Sequence, residues 1–130
     1  MKHHKFSRSS MAKLNTCHPD LKKVAVRALE LSPYDFGITE GVRTIERQKE
    51  LVASGASKTM NSRHIENADG VSEALDIAIY LDSGLTWEIG YYRKVAQSFF
   101  TAAIELGIQI EWGGLWRTFV DGVHFELKRD

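Results

Sequence analysis

One stretch near the start of the chain repeats apolar residues at the spacing of an α-helix, so that these residues share one face. It begins at Pro19-Asp20 and is stopped by Ser32-Pro33. Its apolar face comprises Leu21, Val24, Ala25, Ala28 and Leu29. The pattern predicts a helix that buries one side against a core.

Two further helices are predicted in the same way. The first begins at Thr44, a residue type that caps helix N-termini, and ends at Gly55. It carries Ile45, Gln48, Leu51 and Val52. The second runs from Thr86 to Leu106 and is ended by Gly107. Its buried stripe is predicted to comprise Ile89, Tyr92, Ala96, Phe99, Ala103 and Leu106.

Other stretches alternate apolar and polar residues, which is the pattern of a half-buried strand. Residues 36–42 and 75–80 alternate in this way, as do residues 108–112 before the Gly113-Gly114 break. Asp121-Gly122 lies between the apolar runs 115–120 and 123–127, so it predicts a hairpin that places His124 and Glu126 on one face. Without a strict βαβ rhythm, the elements predict an α+β fold with about three helices and a small, largely antiparallel sheet.

Length and composition narrow the class of protein. The chain has 130 residues, 43% of them hydrophobic, which is enough for one folded domain but not for two. We therefore expect residues 1–130 to form a single domain. No stretch approaches the roughly 20 apolar residues of a membrane helix, and the N-terminus lacks the apolar run of a signal peptide. A chain that is not membrane-embedded and folds in a cytoplasm is predicted.

The charges are balanced overall but segregated along the chain. Basic and acidic residues each number 17, so the net charge is zero and a strongly basic nucleic-acid binder is disfavoured. Residues 1–29 carry seven bases and one acid, whereas residues 64–90 carry six acids and no Lys or Arg. Runs of like charge usually form solvated faces of a protein, but a run of carboxylates around a histidine could also bind a cation. The single Cys17 excludes an intrachain disulfide and Cys-based zinc sites, and is expected to be a buried, inert thiol.

Two histidines lie beside carboxylates in contexts that a fold could bring together. His64, Asp76 and His124 would supply two imidazoles and one carboxylate, a set that zinc accepts while keeping a fourth position open for water. The alternative is that both histidines are ordinary surface or core residues. Asp121, three residues before His124, could serve as the base that a hydrolytic zinc site needs, or only as part of the Asp-Gly turn.

With these motifs, the sequence resembles the zinc-dependent peptidoglycan peptidases of the hedgehog/DD-peptidase fold. It is most similar to the single-domain phage endolysins that act as L-alanyl-D-glutamate peptidases. The resemblance is carried by an S-x-H, an A-x-D and a D-x-x-H element with G-x-R-T upstream. These occur in the segments HPDLKKVAVRALELSPYDFGITEGVRTIERQKELVASGASKTMNSRH, ALDIAIY and GIQIEWGGLWRTFVDGVHFEL.

The resemblance assigns roles to individual residues. It implies that His64, Asp76 and His124 bind one zinc ion and that Asp121 is the catalytic base. Arg43 would contact the substrate and stabilise the oxyanion, and this reading is favoured over a salt bridge from Arg43 to Glu40 or Glu46.

Three weaker assignments follow from the same resemblance. Ser62 would lie near the substrate or brace His64, and Gln48 would line the cleft. Trp112, in the W-G-G element, would shape the wall of the site, although core packing is an equal alternative.

The chain departs from the family pattern S-x-H-x-x-G-x-A-x-D at one place. His64 and Asp76 are twelve positions apart, and the five extra positions fall within IENADGVSEALD. Asp69 is nearer to His64 and is therefore an alternative ligand, but Asp76 keeps the A-x-D context and begins a predicted strand. The acidic residues of the insertion could also bind calcium; they are Glu66, Asp69 and Glu73.

The resemblance implies an endolysin that cuts the peptidoglycan stem peptide between L-alanine and D-glutamate. The alternatives are a D-alanyl-D-alanine carboxypeptidase or dipeptidase on the same scaffold, a zinc-holding wall-binding module without hydrolysis, and a glycan-cutting lysozyme. We expect a monomer without a separate wall-binding domain, encoded by a phage or a prophage. It would stay in the host cytoplasm until a holin-like protein releases it to the wall in the periplasm.

Overall fold

The computed structural model describes residues 4–57, 62–65, 67–117 and 120–128. Over these residues the chain forms four α-helices, one 3-10 helix and a five-stranded sheet. The helices are α1 (Arg8–Leu14), α2 (Pro19–Leu31), α3 (Ile45–Ala53) and α4 (Ile89–Leu106), and the 3-10 helix spans Gly113–Leu115. The strands are β1 (Asp35–Glu40), β2 (Ala74–Leu81), β3 (Gly84–Thr86), β4 (Ile110–Trp112) and β5 (His124–Leu127). The predicted α+β class is confirmed.

The sheet is antiparallel throughout its described pairings and is organised around β2. Its order is β1-β2-β5-β4, and β3 pairs with the C-terminal part of β2. β5, the last strand along the chain, thus lies between β2 and β4 rather than at an edge. It pairs with the first three residues of β2, so that Asp76 is directly opposite His124.

One face of the sheet packs against α2 and α4 and forms the core. Of the two faces predicted for β2, Leu75, Ile77 and Ile79 are fully buried, while on the other face Asp76 and Tyr80 are partly exposed but Ala78 is buried. The rings of Phe99 on α4 and Phe125 on β5 stack with their centroids 3.9 Å apart. The apolar face predicted for the first helix is confirmed, since its five residues are the buried residues of α2. Side chains alternate along a strand, so Asp76 and His124 project from the opposite face.

Helix α1 was not predicted and raises the number of α-helices from about three to four. Its seven residues are too few, and too polar, for a helical repeat of apolar positions to stand out. Ser7 caps it by accepting a hydrogen bond from the Ser10 backbone N–H. The Ser10 hydroxyl in turn accepts from the Ile38 backbone N–H at 3.0 Å, which fastens α1 to β1.

The prediction for the third helix was wrong at its N-terminal end. The helix begins at Ile89 rather than Thr86, because residues 84–86 form β3 and pair with β2. Both ends of the predicted buried stripe are partly exposed, namely Ile89 at 38% and Leu106 at 42%. The helix ends at Gly107, which adopts a left-handed conformation with φ of 70° as predicted from its position.

The hairpin predicted around Asp121-Gly122 was also wrong. The strand that precedes β5 in the sequence and pairs with it is β4 rather than residues 115–120. In this antiparallel pair Ile110 lies opposite Leu127 and Trp112 opposite Phe125. Residues 113–123 therefore connect the two strands, and within them residues 118 and 119 lie outside the described residues. Asp121 does belong to a turn, because its carbonyl oxygen accepts from the His124 N–H at 3.2 Å.

No helix in the described part of the chain is both long enough and apolar enough to cross a membrane.

We expect Cys17 to be chemically silent in the folded protein. Its side chain is 3% exposed and belongs to the core, as predicted. Burial raises the pKa of the thiol to about 11, with a partial offset from the hydrogen bond to Thr16. Since the thiolate is the reactive form, an aromatic disulfide reagent at about pH 8 should leave the native protein unlabelled and label it after unfolding in guanidinium chloride. Equal labelling rates in both states would contradict this expectation.

Candidate active site

Three side chains from different segments converge on the face of the sheet opposite the core. Asp76 lies on β2, His124 begins β5, and His64 lies in the segment between α3 and β2. The His64 Nε2 atom is 3.1 Å from Asp76 Oδ1 and 3.2 Å from His124 Nδ1. The third side of the triangle, from His124 Nδ1 to Asp76 Oδ1, is also 3.2 Å. Among the described residues, these three form the one group of His, Cys, Asp or Glu that could hold a metal ion.

The donor set and its spacing both fit zinc. Two imidazole nitrogens and a carboxylate oxygen are a set found in catalytic zinc sites. Tetrahedral zinc with ligands at about 2.0–2.1 Å would separate its ligand atoms by about 3.3–3.4 Å, close to the separations observed. Asp76 belongs to this group, whereas Asp69, the alternative carboxylate, is exposed and does not.

The backbone around Gly41 holds His64 in place. The Nδ1–H of His64 donates to the Gly41 carbonyl oxygen at 2.9 Å, and the Arg43 N–H donates to the His64 carbonyl oxygen at 2.6 Å. A side chain at position 41 would collide with the Lys13 carbonyl oxygen and the Thr16 hydroxyl, so the close approach requires glycine. Glycine is therefore required on steric grounds at the first position of the G-x-R-T motif.

The pKa values of Asp76 and His124 shift in opposite directions because the two side chains are in contact. Burial alone would raise the pKa of Asp76, but hydrogen bonds with His124 and His64 outweigh it and hold that pKa well below its usual range. Burial alone would lower the pKa of His124, but hydrogen bonds with Asp76 and Glu126 raise it to about 9. The imidazoles stabilise the charged form of Asp76, and the carboxylates of Asp76 and Glu126 stabilise the charged form of His124.

Asp121 lines the same cavity as the three converging side chains. Burial raises the pKa of Asp121, and the charge of Asp76 raises it further, against the opposing effects of His124, His64 and Arg43. A raised pKa suits a carboxylate that accepts a proton and then gives it up. The Asp121 N–H donates to the Gly113 carbonyl oxygen at 3.0 Å, which fixes the residue.

Arg43 is buried and held by several hydrogen bonds. Its Nε and Nη2 donate to the two carboxylate oxygens of Glu40 at 2.8 and 2.6 Å, and its Nη1 donates to Gln48 Oε1 at 2.7 Å. The salt bridge to Glu40, which the motif had disfavoured, is therefore present. Arg43 nonetheless lines the cavity, and its Nη2 lies 3.9 Å from Asp76 Oδ2.

The structure places the three weaker candidates as follows. Ser62 lines the cavity, and its hydroxyl accepts from the His64 N–H at 3.2 Å, the geometry expected of a brace. Gln48 was predicted to line the cleft. It is instead fully buried behind Arg43 and is not among the residues that line the cavity. Trp112 belongs to the core, where it stacks on Phe125, and its indole N–H donates to the Gly122 carbonyl oxygen at 2.8 Å.

The cavity measures about 580 Å³ and includes side chains that the sequence did not single out. Trp116 supplies the aromatic wall predicted for Trp112, with its ring centroid 5.0 Å from that of His124. Glu40, Arg63 and Glu126 also line it. Glu126 could have been singled out from the sequence, since it is two residues after His124 and both therefore lie on one face of a strand. Nothing in the local pattern distinguished Trp116.

The calcium site considered for the acidic insertion finds no support among the described residues. Asp69 is exposed, and the Glu73 carboxylate accepts from the Asn67 amide at 2.9 Å. Neither residue belongs to a group that could hold a metal ion, and Glu66 lies outside the described residues.

Comparison with known proteins connects this geometry to a family. A family model described as phage L-alanyl-D-glutamate peptidase matches residues 2–128. The L-alanyl-D-glutamate peptidase of Escherichia phage T5 is 38% identical over 129 residues, covering 96% of this chain and 90% of that protein. The peptidoglycan L-alanyl-D-glutamate endopeptidase CwlK of Bacillus subtilis is 31% identical over 101 residues, covering 72% of this chain and 60% of that protein.

A solved structure agrees with these relatives. The crystal structure of the L-Ala D-Glu endopeptidase ChiX of Serratia marcescens superposes with a TM-score of 0.86 at 38% identity. The match covers 98% of this chain and 92% of that one. The similarity therefore extends over the fold as well as the motifs.

Zinc should stabilise the folded chain through the three converging side chains. Free zinc at about 100 times its Kd should add about 2.7 kcal/mol to the free energy of unfolding, because a ligand that binds only the native state shifts the equilibrium by mass action. His64→Ala should lose this stabilisation and Asp69→Asn should keep it, as measured by thermal unfolding with zinc or with a chelator. An equal effect of zinc on both variants would rule out this site.

Proposed function

The chain belongs to the family of phage L-alanyl-D-glutamate peptidases, and from this premise we propose that it is a zinc peptidase. It hydrolyses the bond between L-alanine and D-glutamate in the stem peptide of bacterial peptidoglycan. Membership of this family supports peptide-bond hydrolysis as the class of reaction. The triangle of His64, Asp76 and His124 donor atoms, with sides of 3.1–3.2 Å beside Asp121, is the observation that supports zinc as the cofactor.

His64, Asp76 and His124 would hold the metal in this proposal. When bound there, zinc would polarise the scissile carbonyl and lower the pKa of a water molecule in its open position. The two imidazoles and the carboxylate are already close together, so little rearrangement is needed to bind the ion. In this proposal the peptide would bind in the surrounding cavity of about 580 Å³, which these three side chains line.

Asp121 moves the proton. Its carboxylate accepts a proton from the attacking water and delivers it to the amine nitrogen that leaves with D-glutamate. Burial and the neighbouring Asp76 raise the pKa of Asp121, which favours proton retention between the two steps. A site kept only for metal or wall binding has no use for such a base, so Asp121 supports hydrolysis over a binding module.

Arg43 stabilises the negative charge that develops on the carbonyl oxygen. A guanidinium already fixed by Glu40 and Gln48 loses little conformational freedom when the charge forms. Ser62 lies near enough to Arg43, at 3.5 Å from Nη1, to contribute to the same wall. These contacts support a positioning role for Glu40 and Gln48, which act through Arg43.

We also propose the biological setting. The substrate is the host cell wall, and the protein acts on it as a monomer after a separate holin-like protein permeabilises the membrane. The phage origin of the T5 relative supports this setting. Before lysis the protein would be held in the host cytoplasm.

Replacing Asp121 should separate catalysis from metal binding. Asp121→Asn should lower the rate of cleavage by about 10²–10⁴-fold because the proton acceptor is lost. Zinc binding should persist, because Asp121 is outside the triangle of donor atoms. Mass spectrometry of defined muropeptides measures the rate and identifies the bond. Asp69→Asn is the control and should stay active. Full activity of Asp121→Asn would refute the mechanism, and release of terminal D-alanine would indicate a carboxypeptidase.

Replacing Arg43 tests the fixed guanidinium. Arg43→Lys keeps the positive charge but cannot reproduce the bidentate contact with Glu40, so kcat should fall by about 10²–10³-fold. Arg47→Lys makes the same change on the exposed surface of α3 and should leave kcat unchanged. If the two variants have the same kcat on defined muropeptides, Arg43 does not stabilise the transition state.

A further inference from the structure

The two histidines of the metal triangle are held from behind by different partners. The His64 Nδ1–H donates to the backbone carbonyl oxygen of Gly41, whereas His124 Nε2 lies 2.8 Å from the Oε1 atom of Glu126. A carbonyl or carboxylate oxygen can only accept, so in each contact the ring nitrogen that faces away from the triangle carries a proton. A neutral imidazole then has an unprotonated nitrogen on the side of the triangle, which is the form that binds a metal. His64 therefore presents Nε2 to the metal, and His124 presents Nδ1.

Glu126 is itself buried and anchored. It is 7% exposed and lies on β5 two residues after His124, on the same face of the strand. Its second carboxylate oxygen is 3.7 Å from Arg63 Nη1, which also donates to the Leu127 carbonyl oxygen at 3.2 Å. Because Arg63 directly precedes His64, this contact connects the segment that carries one histidine to the strand that carries the other.

Glu126 occupies an unfavourable position for a carboxylate that has no further role. Its partner on β4 is Glu111, and two like charges directly opposite each other on neighbouring strands repel. The contact with Arg63 is the longer of its two ionic contacts, and the short one is with His124. The geometry is thus better explained by the imidazole than by a structural ion pair with Arg63.

We propose that Glu126, anchored by Arg63, is a positioning residue of the metal centre. It fixes the tautomer and orientation of the His124 ring, and its negative charge makes Nδ1 a stronger donor to the metal. A carboxylate behind a metal-binding imidazole does both, and the low dielectric of a buried position strengthens the effect. The inference rests on the zinc site proposed above and assigns Glu126 no contact with substrate.

Zinc affinity is the direct test, measured by competition with a chromophoric chelator. Glu126→Ala should weaken zinc binding about 10–100-fold, the range typical for loss of such a partner. Glu126→Gln should give an intermediate loss, because the amide oxygen can still accept from Nε2–H but carries no charge. Glu111→Gln removes a charge from the opposite position on β4 and should change the affinity less than about twofold, since Glu111 does not contact His124 in the same way.

A spectroscopic readout separates this role from a merely structural one. The visible absorption of the cobalt-loaded protein reports on the donor strength of the ligands. The spectrum should shift in Glu126→Ala and not in Glu111→Gln. Arg63→Gln should shift it in the same direction, and the double variant with Glu126→Gln should show less than the sum of the two losses of zinc affinity, because both changes act through His124.

Unchanged zinc affinity and an unchanged cobalt spectrum in both Glu126 variants would overturn the proposal. If Glu126→Ala fails to fold, as judged by circular dichroism, Glu126→Gln decides the question against Glu111→Gln. Wild-type protein that binds no zinc would overturn this proposal together with the zinc site. Wild-type protein that binds zinc but leaves muropeptides intact would overturn the proposed function alone.

Discussion

The antiparallel pairing of β2 with β5 is the contact on which the site depends. It places Asp76 directly opposite His124, so two donors from residues 48 positions apart are brought together by backbone hydrogen bonds. The same pairing turns Leu75 and Phe125 towards the core, because alternate residues of a strand face opposite sides. Packing free energy on one face therefore maintains the geometry on the other. A shift of one residue in register would disrupt both at once.

The elements that could be predicted from the sequence are those whose pattern is local and repeated. The face of α2, the alternation in β2 and the end of α4 at Gly107 are of this kind. Helix α1 is too short to show a period. β3 is only three residues long and is defined by its partner β2, which no local pattern encodes. The partner of β5 was misassigned for the same reason, since strand pairing is decided by the whole fold.

The metal triangle could be proposed from motifs, but its supporting contacts could not. His64, Asp76 and His124 stand in short recognisable patterns, and the structure brings their donor atoms together. The burial of Gln48 behind Arg43, and the presence of Trp116 rather than Trp112 in the cavity wall, depend on how α3 and the 113–123 connection pack. Polar residues on a helix are normally expected to face solvent. Here Gln48 faces inward because a buried guanidinium needs an acceptor.

The central place of β5 in the sheet also bears on the order in which the chain can acquire activity. β5 is the last described strand to emerge during synthesis, yet it must insert between β2 and β4. Until it does, Asp76 and His64 lack the His124 imidazole, and an edge of β2 is unpaired. Contacts between such distant residues form late and slowly in folding. The donor atoms of His64, Asp76 and His124 therefore cannot come together until β5 has been synthesised and has paired with β2.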